Sequence, residues 1–386
     1  MALDFRILSK VRSARHGQLR LPHGNVDTPV FMPVGTQGTM KGLLPEQLSA
    51  MGFRLMLCNT YHMGHRPGHE IVRNAGGLHS FINWPYSILT DSGGFQMVSL
   101  NSLMNVNEKG VNFESPHTGE KMILTPEASI HIQEDLGADI VMQLDHVIHV
   151  LREGPIVEEA MERSIRWLKR CCDAHTRKDQ ALFPIIQGGL DFSLRKKCAE
   201  AMVRQAETGI AIGGLSGGED KDSFWKIVAF CCENLPEHLP RYVMGVGWPI
   251  DLVICSLLGA DMFDCVYPTR TARFGTAIVR RGGKLHLTRS EFENDFRPID
   301  DSCLCNSCRS YTRAYIHSIL NQETVACHII SVHNLHHHMN LMKRLRIAID
   351  ADTVQEFLKE FLLEQFPDGN IPHWVREAIA HMRYEI

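Results

Sequence analysis

The sequence predicts an α/β protein folded as a (β/α)8 TIM-like barrel, with a β-hairpin inserted near its mouth and a small Cys-rich subdomain towards the C-terminus. Three observations predict it. Eight short apolar runs alternate with longer amphipathic stretches up to Val266. The runs are nearly continuous in apolar side chains, as strands covered on both faces must be. No Gly-x-Gly-x-x-Gly follows the first run, which disfavours an open dinucleotide-binding sheet.

The strands are expected at Pro29–Thr36, Arg54–Thr60, Ser87–Ser92, Ala138–Asp145, Ala181–Gln187, Gly209–Gly214, Arg241–Gly245 and Asp261–Val266, each bounded by Gly, Pro or Asp. Helices are expected at Pro45–Met51, Pro126–Leu136, Pro155–His175, Ser193–Glu207, Lys221–Leu235 and Pro249–Leu258. The third is the clearest: Val157, Met161, Ile165 and Leu168 recur at helical spacing and Pro155 sits near its start. Residues 95–125 interrupt the alternation. There Lys109–Glu114 and Lys121–Leu124 flank His117-Thr118-Gly119, the pattern of a hairpin. From about residue 285 the pattern changes again. The expected division is a barrel over 1–284, a metal-binding subdomain over 285–345 and a helical segment over 346–386 that packs on the barrel.

Composition narrows the class. Hydrophobic residues make up 44% and charged residues 22%, which is globular usage. The 12 Cys are scattered, a poor disulfide framework, so a reducing cytoplasmic setting is expected. The stretch Met1 to Arg20 holds six charged residues and no apolar core, so no secretory signal is read there. No run approaches the roughly 18 apolar residues of a membrane span. Net charge is −4, not the mark of a chain that binds nucleic acid over its whole surface. One segment differs: from Cys265 to Ser290 there is no Asp or Glu, while Arg270, Arg273, Arg280, Arg281, Lys284 and Arg289 fall within it. A solvated basic face and a nucleic-acid contact both fit that segment.

In a barrel the working groups stand at the carboxyl ends of the strands. Reading those ends gives Asp91, Asp145, Gln187, Gly214 and Asp264. A single Asp after a strand is usually a turn or capping residue; three at the ends of different strands are harder to explain so. Carboxylates accept from ring N–H and amino groups, while an amide and a backbone N–H donate to a carbonyl, so the set suits a purine-like base. Phe95 and Met244 have the character to pack on the two faces of such a ring, or to be ordinary core. Cys303-x-Cys305-x2-Cys308, followed 25 positions later by His333, has the spacing of a closed tetrahedral zinc site. His328 and the run His336-His337-His338 compete for the fourth position. A closed site of this kind is structural, contributing about 10 kcal/mol or more of folding energy. Gly213–Gly218 is rich in glycine but lacks the Gly-Lys-Ser/Thr ending of a phosphate loop. His146 and His149 match no pattern.

Together, Asp91-Ser-Gly-Gly-Phe-Gln96, Gln187-Gly188, the Gly213–Glu219 loop, Asp261-Met-Phe-Asp-Cys-Val-Tyr-Pro-Thr-Arg270 and the Cys3His set resemble the queuine/archaeosine tRNA-ribosyltransferases, in the same order over nearly the whole chain. The resemblance implies exchange of guanine at wobble position 34 of tRNAs with a G-U-N anticodon (the Asp, Asn, His and Tyr tRNAs). It implies Asp264 as nucleophile on the ribose, forming a covalent ribosyl-aspartate, and Asp91 as general acid/base. The base would be held by Asp91, Asp145, Gln187 and the Gly214 amide, with Ser92, Gly93, Gly94, Phe95, Leu215, Gly217 and Met244 around it. RNA contacts would come from Gly245, Val246, Gly247, Trp248, Pro249, Ile250 and Asp251, and from Thr269, Arg270, Thr271, Ala272 and Arg273. One structural Zn2+ would sit on Cys303, Cys305, Cys308 and His333. Met142-Gln-Leu-Asp145 and Ser164-Ile-Arg-Trp-Leu168 resemble the eukaryotic catalytic subunit. Bacterial members carry a valine where this chain has Gly217, and a tyrosine at Phe95. That implies queuine as the incoming base and a heterodimer with a non-catalytic paralogous subunit, or a homodimer in isolation. Peripheral contact with the mitochondrial outer membrane belongs to the same resemblance. The other readings are a non-catalytic tRNA-binding subunit, a bacterial-type enzyme using a smaller precursor base and, last, a zinc hydrolase, which the three thiolate ligands disfavour.

Overall fold

The computed structural model describes residues 2–94, 105–114 and 121–386. Its centre is a parallel sheet built from β4 (Val30–Gly35), β5 (Leu55–Cys58), β6 (Ser87–Thr90), β10 (Ile140–Met142), β11 (Ala181–Phe183), β12 (Ile185–Ile186), β13 (Ile210–Ile212), β14 (Arg241–Val243) and β15 (Met262–Cys265). The order is β11-β10-β6-β5-β4-β15-β14-β13-β12. The two outer members, β11 and β12, are consecutive pieces of one extended segment parted only at Pro184. Proline has no N–H to give to a ladder, yet its carbonyl accepts from Ala211 N at 2.8 Å. The sheet is therefore a ring of eight strands, as expected, each shorter than its apolar run.

Side chains alternate along these strands, and the alternation sorts two cores. Met32, Leu57, Leu89, Met142, Ile185, Tyr242 and Met262 fill the barrel interior. Phe31, Met56, Ile88, Val141, Ile186, Val243 and Phe263 face the surrounding helices. The helices anticipated from periodicity form at Pro45–Ala50, Pro126–Leu136, Pro155–Ala174, Phe192–Val203, Lys221–Asn234 and Pro249–Leu257. Among the segments not anticipated are the helical region Thr60–Met63 and His69–Asn74, the full 27-residue extent of the helix Thr324–Asp350, and an N-terminal antiparallel sheet. That sheet, β1 (Asp4–Val11), β2 (Ala14–Leu21) and β3 (Gly24–Thr28), places Leu19, Leu21 and Val26 in the barrel's interior core. Its strands are too rich in charge to read as barrel strands, because they serve as a lid with one wet face.

The insertion is a three-stranded antiparallel sheet, β7 (Asn105–Val106), β8 (Val111–Glu114) and β9 (Lys121–Leu124). β8 and β9 pair from Val111 with Leu124 to Glu114 with Lys121; the expected turn at His117-Thr118-Gly119 lies outside the described residues. After the barrel come β16 (Thr276–Val279) and β17 (Gly283–His286), an antiparallel pair. Ala277, Val279, Leu287, Ile299, Ile316 and Ile330 pack into a separate small core beside it. Among the described residues no helix is long and apolar enough to cross a membrane.

A buried ion pair fixes the lid to the barrel. Arg15 on β2 donates through Nε to Asp261 Oδ1 at 2.9 Å and through Nη2 to Oδ2, and both side chains are fully buried. The Glu237 and Leu239 carbonyls accept from its Nη1 and Nη2 at 2.7 and 2.8 Å. Removing one partner of such a pair strands the other charge and costs about 3–5 kcal/mol. Arg15→Met should lower the unfolding free energy by about that amount, measured by urea denaturation; a loss within about 0.5 kcal/mol would show the pair to be dispensable.

Candidate active site

The inward register of the strands continues past their last hydrogen bonds and delivers polar groups to one mouth. Leu57 and Leu89 point inward, so Asn59 and Asp91, two residues on, do as well. The same step runs from Ile185 to Gln187, from Tyr242 to Met244 and from Met262 to Asp264. The carboxyl ends of parallel strands share one end of the barrel, so these groups share one opening.

Asp91 is held firmly. Its Oδ1 accepts from Thr60 N at 2.8 Å and Gly93 N at 3.2 Å, its Oδ2 from Asn59 Nδ2, and only 7% of the residue is exposed. Asp145 accepts from Gln187 Nε2 at 2.6 Å and from Ser92 Oγ at 3.5 Å. Burial raises its pKa to about 6, with the Asp91 charge adding to the rise. Asp264 Oδ1 accepts from the Tyr242 hydroxyl at 2.6 Å and from Gly245 N at 2.8 Å. Desolvation raises its pKa too, and those two donors oppose the rise. Tyr242 stands between the acids: burial and the charges of Asp264 and Asp91 hold its own pKa well above the usual range.

The amide wall of the mouth is shaped by glycine. Gly214 has φ +66°, and a Cβ there would lie 2.3 Å from Gln187 Oε1. Gly213 and Gly214 thus run against the Gln187 amide, and Met244 Sδ lies 3.5 Å from where a Gly213 Cβ would be. A Cβ at Gly217 would approach Val150 Cγ1 to 3.2 Å, so Val150 and Gly217 meet across the rim. Glu219 accepts from Ser216 N and, at 2.9 Å, from Gly217 N, closing the Gly-rich loop on itself. Gly94 packs near Leu144 and Asp145, and Leu215 is partly buried against the outer core. Phe95 lies outside the described residues.

Beside the mouth, Gly245–Asp251 leads into the helix Pro249–Leu257, and Thr269–Arg273 lies on the helix Tyr267–Arg273. Trp248 is 47% exposed and stacks on Tyr267 at 5.2 Å, with Lys284 Nζ 3.8 Å above its ring. Arg270 and Arg273 are exposed. Val246, Thr269 and Ala272 are buried, and buried Asp251 is paired with Lys221 at 2.5 Å. From these last positions only backbone or indirect contact with a partner is open.

Cys303, Cys305, Cys308 and His333 converge, with ligand atoms all within 4.8 Å of one another. His333 Nε2 donates to Ile278 O at 2.8 Å, which fixes the tautomer and leaves Nδ1 facing Cys308 Sγ at 3.3 Å and Cys305 Sγ at 3.6 Å. Such a carbonyl partner is the usual second support of a metal-bound imidazole. The donor set therefore fits one tetrahedral metal ion. Of the competing histidines, His328 turns to the Gly42 carbonyl, His338 to Gly247 O at 2.7 Å, and His336 Nδ1 lies 3.6 Å from Cys303 Sγ.

Two groups at the mouth escaped the reading of strand ends. Asn59 was legible from the same two-residue step that gave Asp91. Tyr242 reads as core in the sequence, and only the fold brings its hydroxyl to Asp264.

Closed ring, acidic mouth and Cys3His cluster define an α/β-barrel enzyme with an appendage that could hold a metal ion. The model of the queuine tRNA-ribosyltransferase family matches residues 10–367, and the chain belongs to that family. It is 63% identical to the queuine tRNA-ribosyltransferase catalytic subunit of Caenorhabditis elegans over all of both chains. It is 48% identical to the Schizosaccharomyces pombe catalytic subunit over all of this chain and 98% of that one. The queuine tRNA-ribosyltransferase of Halothermothrix orenii is 46% identical over 96% of this chain and its own full length.

The raised pKa of Asp145 has a consequence for stability. Its carboxyl holds the proton more tightly when folded, so folding is favoured below about pH 4 and that advantage is lost as pH rises through about 6. Asp145→Asn should therefore be more stable than the wild type at pH 7.5 by about 1–3 kcal/mol, the gap opening between pH 4 and 6 and flat above. Thermal melts across that range test this; a gap independent of pH would remove Asp145 as its source.

Proposed function

We propose that this chain is a tRNA-guanine transglycosylase that exchanges guanine 34 of G-U-N anticodon tRNAs for queuine. The observation that carries the mechanism is the asymmetry at Asp264. Tyr242 O–H and Gly245 N–H both bind Oδ1, and among the described residues no hydrogen bond reaches Oδ2. One oxygen is anchored and the other is left to bond. The target base must first leave the anticodon stack, at a cost of a few kcal/mol. Oδ2 then attacks the ribose C1′ as the C1′–N9 bond breaks, and Asp91 gives its proton to the departing guanine. Queuine enters, Asp91 takes its N9 proton, and the nitrogen displaces Asp264 from C1′. The oxocarbenium-like states on either side are stabilised by the same carboxylate that traps the sugar.

Asp145, Gln187 and the Gly214 amide hold the base on this reading, with Met244 on one of its faces. Gly217 keeps the rim beside Val150 open for the cyclopentenediol substituent, which supports queuine over a smaller precursor. The exposed Trp248, Arg270 and Arg273 suit a single-stranded loop, where stacking and cation contacts recognise unpaired bases. The name "catalytic subunit" on the eukaryotic relatives supports a heterodimer with a non-catalytic paralogue. All 12 cysteines are free thiols, in keeping with the cytoplasm, and any contact with the mitochondrial outer membrane would be peripheral. The metal on this reading is Zn2+, and what it supplies is cross-linking of the small core at Ile278 and Ile330, away from the reacting sugar.

The exchange is tested by mass spectrometry of nucleotide 34 after incubation with queuine. The wild type should convert it. Asp264→Ala should give neither product nor a tRNA adduct on a denaturing gel, and an adduct that survived would assign the nucleophile elsewhere. Asp91→Asn should slow exchange by about 10²–10⁴-fold.

Removal of the metal is a separate check. One zinc per chain should be found by elemental analysis, and Cys308→Ala should lose it. The loss should open the Thr276–Ile330 region to proteolysis before the barrel unfolds; unchanged protease resistance would contradict the structural role.

A further inference from the structure

Close to the mouth, a fully buried arginine belongs to no ion pair among the described residues. Arg195 lies in the first turn of the helix Phe192–Val203, is fully buried, and makes no salt bridge among the described residues. Its partners are carbonyls: Nε donates to Gly189 O at 2.8 Å, and Nη1 to Ile186 O at 3.0 Å and Gly213 O at 2.8 Å. Nη2 has no partner. An isolated buried cation costs several kcal/mol, so a hydrophobic side chain would serve packing better.

The three carbonyls have a common feature. Ile186 and Gly189 flank Gln187, and the Gly213 carbonyl belongs to the same peptide unit as the Gly214 N–H. One guanidinium therefore ties together the two loops that form the amide wall of the mouth. It lies close behind that wall: a Cβ on Gly214 would be 3.5 Å from Nη2. Among the described residues the Gly214 N–H has no acceptor, whereas the neighbouring Gly213 N–H donates to Ile186 O at 3.1 Å. A cation on the carbonyl of a peptide unit draws electron density from its N–H and makes that N–H a stronger donor. The planar fork matters as well, because lysine offers a point charge that cannot span three carbonyls.

We infer that Arg195 is a positioning residue for base exchange, which holds the Gln187 and Gly214 loops in register and strengthens the Gly214 N–H as donor to the carbonyl of the base. This rests on the reading above in which the Gly214 amide holds the base.

The test compares guanine with 2-aminopurine, which lacks the carbonyl oxygen and the N1 hydrogen that goes with it, as competitors of labelled guanine incorporation into tRNA by the full chain with its partner subunit. The wild type should prefer guanine. Arg195→Lys should lose roughly tenfold of that preference, because guanine binding weakens more than 2-aminopurine binding, with the KM for tRNA unchanged. Arg195→Ala should regain guanine binding when millimolar guanidinium is added. Equal weakening of both bases, or a preference that survives in Arg195→Lys, overturns the inference alone. A wild type with no preference for guanine overturns the Gly214 reading and the inference together. Should Arg195→Ala not fold, Arg195→Lys decides.

Discussion

The pairing of β15 with β4 is the constraint on which the molecule turns. Met262 to Cys265 lie beside Val30 to Pro33, joining segments more than two hundred residues apart in the chain. Without it the sheet would be open, and Asp264 would stand on an edge rather than at a mouth shared with Asp91. The pairing is locked from below: Asp261, just before β15, takes Arg15 from the N-terminal sheet and the Arg241 N–H from β14 at 2.7 Å. The N-terminal sheet is thus a working part of barrel closure, filling the lower interior while its arginine fixes the last strand.

Above that lock the mouth concentrates acids where water is scarce. Asp91, Asp145 and Asp264 each have a different set of donors. Asp91 receives two backbone N–H groups and an amide, which hold its carboxyl in place. Asp145 is left with a pKa raised to about 6. Asp264 has one oxygen anchored by Tyr242 and Gly245 and the other available. Three carboxyls of identical chemistry are thereby set in three different surroundings, the kind of arrangement that lets one site do acid and nucleophilic work at a single pH.

The helix Thr324–Asp350 couples the appendage to this mouth. His333 faces the three thiols, Asn334 Oδ1 accepts from Ile278 N at 2.7 Å, and Asn334 Nδ2 donates to Pro268 O at 2.9 Å. One turn further on, His338 holds the Gly247 carbonyl, and near the helix end Arg346 holds Pro29 O at 2.7 Å. Metal cluster, Gly247 segment and first barrel strand are therefore set by one rigid element. The run His336-His337-His338, ambiguous in the sequence, spreads around the helix because neighbouring residues sit about 100° apart; His336 faces Cys303 Sγ and His338 the Gly247 carbonyl.

Much of this was legible in the residues. The eight apolar runs and their alternation with amphipathic helices fixed the barrel, because a strand buried on both faces has few other ways to look. Position at strand ends then gave Asp91, Asp145, Gln187 and Asp264, and the Cys spacing gave three of the four converging ligands, since both follow from local geometry. Other features were decided only in three dimensions. The N-terminal sheet reads as polar because one of its faces stays wet; Tyr242 reads as core until its hydroxyl meets Asp264; His333 and His328 are equivalent until the helix turns one to the thiols and the other to Gly42. Arg195 carries no local sign at all, since a lone arginine on a helix is ordinary in sequence and exceptional only once burial leaves it bound to carbonyls, with no ion pair among the described residues. Periodicity reports which face of an element is covered, and only tertiary packing settles what covers it.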